Sequence, residues 1–331
     1  MSVIDQYLQY VRNIRRYSQR TVEIYEGVLN SFLRHIAQGD ETPTDEYILV
    51  SLKPNIIRGY EISLLDADPP MTARTVNLHL SALSSFSKFL VKEGLLESNP
   101  VSLVQRPKME SRLPVFYKKE AMEEYFERLT HDEDRREFDE FAKFWNTKSG
   151  KELYEKRISR TIISTLYGLG LRRSEIIGMN VGAVDFGRKV VRVTGKGNKM
   201  REIPLVDSLS EEILLYLKAV EIMCEGKRSL KEPLFITYTG RRLYPGYVDK
   251  VVKSELSGIK GLTGRKSPHV LRHSLATELM NQDADLNSIK ELLGHSSLAA
   301  TQVYTHSSIA RLKDIYKQAH PRAKNGGKYG D

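Results

Sequence analysis

The sequence predicts a mainly α-helical protein of two domains with one small antiparallel β-sheet, and three observations carry that prediction. Apolar residues recur at helical spacing through the first third of the chain. Residues 104–114 then break the pattern with two prolines, basic side chains and no apolar periodicity. Further along, two strand-like runs flank a glycine-bearing turn. A chain of 331 residues, 40% hydrophobic and 28% charged, has the size and the apolar content for two cores.

In order, Val3, Ile4, Tyr7, Leu8, Val11 and Ile14 mark a first amphipathic helix. Ser18 is a good N-cap for a longer second one, carried by Val22, Tyr25, Val28, Leu29, Phe32, Leu33 and Ile36 and stopping near Gly39. A shorter third follows Pro54 with Ile56, Ile57, Tyr60 and Leu64. A fourth runs from about Thr72 through Val76, Leu80, Leu83, Phe86, Phe89 and Leu90 to a glycine C-cap at Gly94. Four helices make a bundle of roughly 100 residues, a common domain size.

Beyond the linker, residues 131–157 are highly charged, with Phe138, Phe141, Phe144 and Trp145 at helical spacing, so an extended helix with one apolar face is expected there. Ile158 to Met179 reads as helix, a turn at Gly168-Leu169-Gly170, and a second helix opening at Arg172. Those glycines lack both the GKS/T ending of a phosphate loop and the GxGxxG spacing. Strands are expected at Val184–Phe186, Val190–Val193 and Arg201–Leu205, the last two joined by a turn with Gly195 and Gly197. Helices follow over residues 208–225 and 246–257, with a short strand candidate at Leu234-Phe235-Ile236 between them.

Composition excludes several classes. No run approaches a membrane span, and the first residues have no apolar signal core, which makes the cytoplasm the expected location. The single cysteine, Cys224, rules out an internal disulfide and a cysteine-based zinc site. The formal charge of +9 points to a polyanionic partner. Residues 1–113 hold 13 Lys+Arg and 13 Asp+Glu, so the whole excess, 38 against 29, lies in residues 114–331.

That same half carries the chemistry. Between His269 and Tyr304 the chain places a His-x-x-Arg pair (His269, Arg272), a Gly-His step (Gly294, His295) and, nine residues later, Tyr304. Imidazoles, a guanidinium and a phenol suit attack on a phosphodiester: arginine donates paired hydrogen bonds to phosphate oxygens, histidine moves a proton, and a phenolate is an oxygen nucleophile. Upstream, TLYGLGLRRSEIIGM brings Arg172 and Glu175, and VVRVTGKGNKMREIPL puts Lys196 at the tip of the expected hairpin. His269 and His273, four apart, also have zinc-pair spacing, but HVLRH lacks the glutamate of HExxH, and Arg272 beside them would repel a cation.

This ordered set resembles the tyrosine recombinase (phage-integrase) family, and its wording is most similar to the bacterial Xer recombinases, down to AHPRA near the end. The resemblance implies an active site of Arg172, Lys196, His269, Arg272, His295 and the nucleophile Tyr304, with Glu175 at the supporting acidic position. It also implies a C-shaped DNA clamp: a helical core-binding domain over residues 1–103, the linker at 104–114, a catalytic domain over 115–323 and a flexible tail at 324–331. Arg20, Arg74 and Asn77 on helix faces, Arg106 and Lys108 in the linker, and Lys199 beside the hairpin tip are then candidate DNA contacts.

No metal, cofactor or ATP is required by such chemistry. The implied partners are double-stranded DNA with an inverted-repeat recombination site and further subunits in a homo- or hetero-tetramer. Assembly would run through the C-terminal helix with Ile309, Leu312, Ile315 and Tyr316; a DNA translocase is a possible activator, and no membrane is involved. The expected role is resolution of chromosome or plasmid dimers. The alternatives are an integrase or transposase of a mobile element, a relaxing enzyme with the same chemistry, or an architectural DNA-binding protein without catalysis.

Overall fold

The computed structural model describes residues 1–37, 43–109, 116–127, 141, 143–195, 198–259, 262, 264–281 and 285–294. Phe138, Lys196, His295, Tyr304 and the expected apolar face from Ile309 to Tyr316 lie outside them. The chain divides into two compact units, Met1–Leu113 and Pro114–Asp331. The described residues are mostly helical, with one three-stranded antiparallel sheet. None of their helices is long and apolar enough to cross a membrane.

In the first unit, α1 (Val3–Gln9) starts at a capping box between Ser2 and Asp5 and continues as a π-helical turn, Tyr10–Ile14. That turn rotates the periodic stripe, and Ile14, expected inside, is 69% exposed. Ser18, Thr44 and Thr72 each accept a backbone N–H at the starts of α2 (Gln19–Ile36), α3 (Asp45–Ser51) and α5 (Ala73–Lys92), while α4 (Pro54–Leu65) begins on its proline. Periodicity does not predict α3, whose seven residues are too few to display a period.

At the end of α5, Gly94 has φ +74°, and the amides of Gly94 and Leu95 donate to the carbonyls of Val91 and Leu90, closing the helix as a Schellman motif. Tyr7, Phe32, Ile57, Tyr60 and Phe86 are fully buried between the helices. Each such side chain contributes about 1.5–3 kcal/mol of burial. The start of the expected linker belongs to this unit: Val104 is buried, and the Asn77 side-chain amide donates to the Pro107 carbonyl at 2.9 Å.

The second unit is built on α7 (Lys148–Gly168), which follows α6 (Lys119–Glu127) in sequence. Thr147 caps α7, so residues 148–157 of the charged stretch are the first turns of this helix. Phe141 is buried in the same core, with Phe144 and Trp145 packed against it. Tyr154, Ile158, Ile162 and Leu166, spaced at four, are inaccessible and meet α9 (Asp207–Met223), α10 (Pro245–Glu255) and α11 (Pro268–Asn281). Two α7 arginines, Arg157 and Arg160, pair with the buried Glu212 of α9 at 3.3 and 3.0 Å.

Between α7 and α9 lie the short α8 (Arg173–Gly178) and the sheet β1–β2–β3, with strands Val184–Asp185, Val190–Thr194 and Met200–Pro204. The β2–β3 hairpin pairs Val191 with Ile203 and Thr194 with Met200. Leu234-Phe235-Ile236 is not a strand. Its side chains are buried, and it is held by isolated bridges between Asn180 and Pro233 and between Ile236 and Arg242. An apolar triplet inside a core looks the same in sequence as a strand. The last described helix is α12 (Leu286–Leu293), ending on Gly294.

Candidate active site

The turn after α7 sets the site. Gly170 has φ +58°, and a Cβ there would lie 2.7 Å from Leu293 Cδ2, so both the backbone angle and the close approach of α12 call for glycine. The turn delivers Arg172 to the N-cap position of α8. Glu175, three residues on, reaches back to accept the Arg172 backbone N–H at 2.8 Å with one oxygen and the Arg172 guanidinium at 2.8 Å with the other. A carboxylate in the first turn of a helix is also favoured by the helix dipole.

Two more arginines converge on that carboxylate. Arg201, at an inward position of β3, donates from Nη1 and Nη2 to the two Glu175 oxygens, both at 2.9 Å. Arg272, from α11, brings Nη1 to 3.9 Å from Glu175 and donates it to the Gly170 carbonyl at 2.6 Å. All three guanidiniums also meet the carboxyl end of α12. Arg201 Nε donates to Leu292 O at 2.8 Å, Arg272 Nη2 to Leu293 O, and Arg172 Nη2 to Gly294 O at 2.9 Å. The carbonyls left open at a helix end are thereby capped by charged donors.

Arg172 is the outlet of the cluster, with its side chain 31% exposed; Arg272 and Arg201 are buried. Burial pushes the Arg272 guanidinium down to about 10, with Arg172 and Arg201 adding to the shift and Glu175 opposing it. It therefore stays charged at neutral pH. Among the described residues the cluster holds three cations and one anion, an excess suited to a phosphodiester that gains negative charge at its non-bridging oxygens.

Burial also drives the Glu175 carboxyl upward, but the Arg201 guanidinium, followed by the backbone and side chain of Arg172, outweighs it and holds the group below its ordinary 4.5. A carboxyl lowered in the folded chain stabilises the fold fully above 4.5 and loses that contribution as pH falls through the folded value. The thermal midpoint is expected to fall on acidification below that range, and Glu175→Gln is expected to flatten this part of the profile. An acid slope that is unchanged in the variant contradicts the assignment.

His269 lies in the first turn of α11, exposed and three residues before Arg272. His273 is half-buried, with its ring edge-on to Phe116 at 6.5 Å. The start of the hairpin loop is close to the cluster: a Cβ on Gly195 would lie 3.5 Å from both Glu175 Oε1 and Arg201 Nη1, and Lys196 is the next residue. Lys199 is exposed beyond the tip. The structure thus brings together Arg172, Glu175 and Arg272, all expected at the site, and adds Arg201, which is not among the expected site residues. Strand alternation carried a signal for it, because Arg201 shares the inward face of β3 with Ile203, a costly place for an unpaired charge.

In the first unit, Arg20 and Arg74 are exposed on the first turns of α2 and α5, and Lys108 is exposed. Asn77 and Arg106 are engaged internally: Arg106 donates to Asn77 O at 3.2 Å and to Ser81 Oγ at 2.9 Å. Arg106 also lines an open cavity of about 440 Å³ with Arg15, Lys88, Tyr10, Tyr17 and Tyr25.

Residues 134–311 match the Phage integrase family, and residues 4–94 match the Phage integrase, N-terminal SAM-like domain. The chain is 32% identical over 329 residues to Tyrosine recombinase XerC of Chlorobaculum tepidum, covering 97% of this chain and 94% of that protein. It is 30% identical over 320 residues to Tyrosine recombinase XerD of Oceanobacillus iheyensis, covering 97% and 98%. The Tn1549 transposon integrase, solved in complex with transposon right end DNA, shares the fold with a TM-score of 0.64 at 16% identity over 98% of each chain.

Proposed function

Since the chain belongs to the phage integrase family and is a site-specific tyrosine recombinase, an enzyme that breaks and rejoins DNA, we propose that Tyr304 attacks the scissile phosphate within the arginine cluster described above. The phenol oxygen forms a bond to phosphorus and the bond to the 5′-oxygen breaks, leaving a 3′-phosphotyrosine and a free 5′-hydroxyl. Arg172 and Arg272 offset the charge on the non-bridging oxygens. Lys196 protonates the leaving 5′-oxygen, His269 takes the tyrosine proton, and His295 donates to a phosphate oxygen. Glu175 holds the guanidiniums in place. Because the ester energy is kept in the phosphotyrosine, attack by a second 5′-hydroxyl completes strand exchange without ATP.

The convergence of Arg172 and Arg272, 100 residues apart in sequence, on one buried carboxylate is the observation that supports this reading. In the same reading residues 1–103 are the core-binding domain and 115–323 the catalytic domain. The DNA carries an inverted repeat, the subunits assemble as a tetramer through the C-terminal helix, a DNA translocase activates the assembly, and the biological outcome is dimer resolution. The test is a duplex nicked beside the scissile phosphate, found by footprinting genomic fragments. The protein becomes covalently attached to it, whereas a pure DNA-binding protein gives only a salt-sensitive complex. Two sites in one plasmid recombine, whereas a relaxing enzyme changes only linking number.

Arg20 and Arg74 are read as phosphate contacts. Replacing both with alanine is expected to weaken binding evenly across DNA sequences and to lower the slope of log K against log salt by about 2, near one for each contact. An unchanged slope assigns both to a solvated helix face.

A further inference from the structure

We infer that Arg201 is a positioning residue of the cleavage centre, one buried guanidinium that fixes Glu175 on one side and the carboxyl end of α12 on the other. The inference rests on the proposed roles of Arg172 and Arg272 and deepens them. Three of the five Arg201 donors are spent on the cluster, two on the Glu175 oxygens at 2.9 Å and one on Leu292 O at 2.8 Å. The fork-on-carboxylate geometry sets the plane of Glu175. That plane in turn sets Arg172, which is bonded to the same carboxylate.

The other side of Arg201 acts on α12. Gly294 has φ +63°, and a Cβ there would lie 3.0 Å from Arg201 Nη1 and 3.3 Å from its Cζ, so the guanidinium closely approaches the residue that precedes His295. Arg201 also belongs to the hairpin ladder, where it faces Val193, and Gly195, at the start of the hairpin loop, lies beside the Glu175–Arg201 pair. One side chain thus ties together the three chain segments that carry Arg172, Lys196 and His295.

Removing Arg201 leaves Glu175 buried with Arg172 as its hydrogen-bonding cation, which draws the Arg172 guanidinium inward and away from the outlet. A purely structural ion pair predicts a lower melting temperature and normal chemistry in the molecules that remain folded. A positioning role predicts normal binding and slow chemistry.

The experiment uses the full chain and the nicked duplex, at saturating protein and at a temperature well below each variant's melting point, and compares single-turnover covalent attachment with equilibrium binding. Arg201→Lys and Arg201→Met are expected to bind within about 2-fold of the parent and to attach about 100-fold more slowly, the cost of a misplacement near 1 Å. In Arg201→Met, neutralising the carboxylate that draws Arg172 inward, with Glu175→Gln, is expected to recover at least about tenfold of the rate, a non-additivity that mere loss of stability would not produce. Should neither Arg201 variant fold, Gly294→Ala, which pushes on the same guanidinium from the α12 side, is expected to show the same slow attachment with retained binding. Attachment at the parental rate in a folded Arg201 variant, or in Gly294→Ala where that variant stands in, overturns the inference. A parent chain that never attaches refutes the underlying reading of the site instead.

Discussion

Tyr304→Phe is expected to leave binding to the nicked duplex unchanged and to abolish the covalent protein–DNA product. The substitution removes one oxygen, the atom proposed to bond to phosphorus, and nothing else. Loss of a nucleophile in comparable covalent catalysis costs on the order of 10⁶ in rate, so the product should fall below detection. The chain has 17 tyrosines, and the phenols buried in the core of its second unit are poor candidates. Burial pushes Tyr117 and Tyr216 up to about 12, and it raises Tyr125, Tyr154 and Tyr167 as well. A phenol that resists ionisation inside a core is neither accessible to DNA nor readily activated. Tyr316→Phe, twelve residues further on, serves as the control and should attach normally. Attachment that survives Tyr304→Phe moves the nucleophile to another residue and leaves the family membership untouched.

How far this site could be read from sequence depended on whether the signal was local. Arg172 and Glu175 are three apart and sit at a helix start behind a glycine turn, so their partnership is written in adjacent residues. His269 and Arg272 share one helix in the same way. Arg201 pairs with a carboxylate 26 positions away and a carbonyl 91 positions away, and no period in the chain records such a contact. The only local trace was its register beside Ile203. The same distinction explains the fold. Long helices such as α2 and α5 repeat their apolar stripe often enough to be seen, whereas α3 is too short to repeat it. Leu234-Phe235-Ile236 shows its burial but not its geometry, because a buried triplet has no polar face to set a period against. Cap residues are local signals: Ser18 and Gly94 cap α2 and α5 where the sequence places them.

Arg272→Ala is expected to do the most combined damage of any single substitution in the cluster. On the catalytic side it deletes one of the two cations proposed to face the phosphate, and the precedent for one preorganised donor is about 2.7–4 kcal/mol in the barrier, or roughly 10²–10³ in the rate of covalent attachment. On the structural side the buried guanidinium serves the Gly170 and Leu293 carbonyls at once, joining the turn after α7 to the end of α12. Each carbonyl left without a donor costs about 1–3 kcal/mol. Arg272→Lys separates the two effects. An ammonium restores a positive charge and can satisfy one carbonyl, but it cannot span two carbonyls and a phosphate from one plane. The lysine variant should therefore regain part of the urea midpoint lost by the alanine variant while attaching to the nicked duplex almost as slowly. If lysine restores the rate as well as the midpoint, the site needs only charge at this position, and the planar grip assigned to Arg272 is wrong. If alanine lowers the midpoint without slowing attachment in the folded fraction, Arg272 belongs to the scaffold and Arg172 alone faces the phosphate.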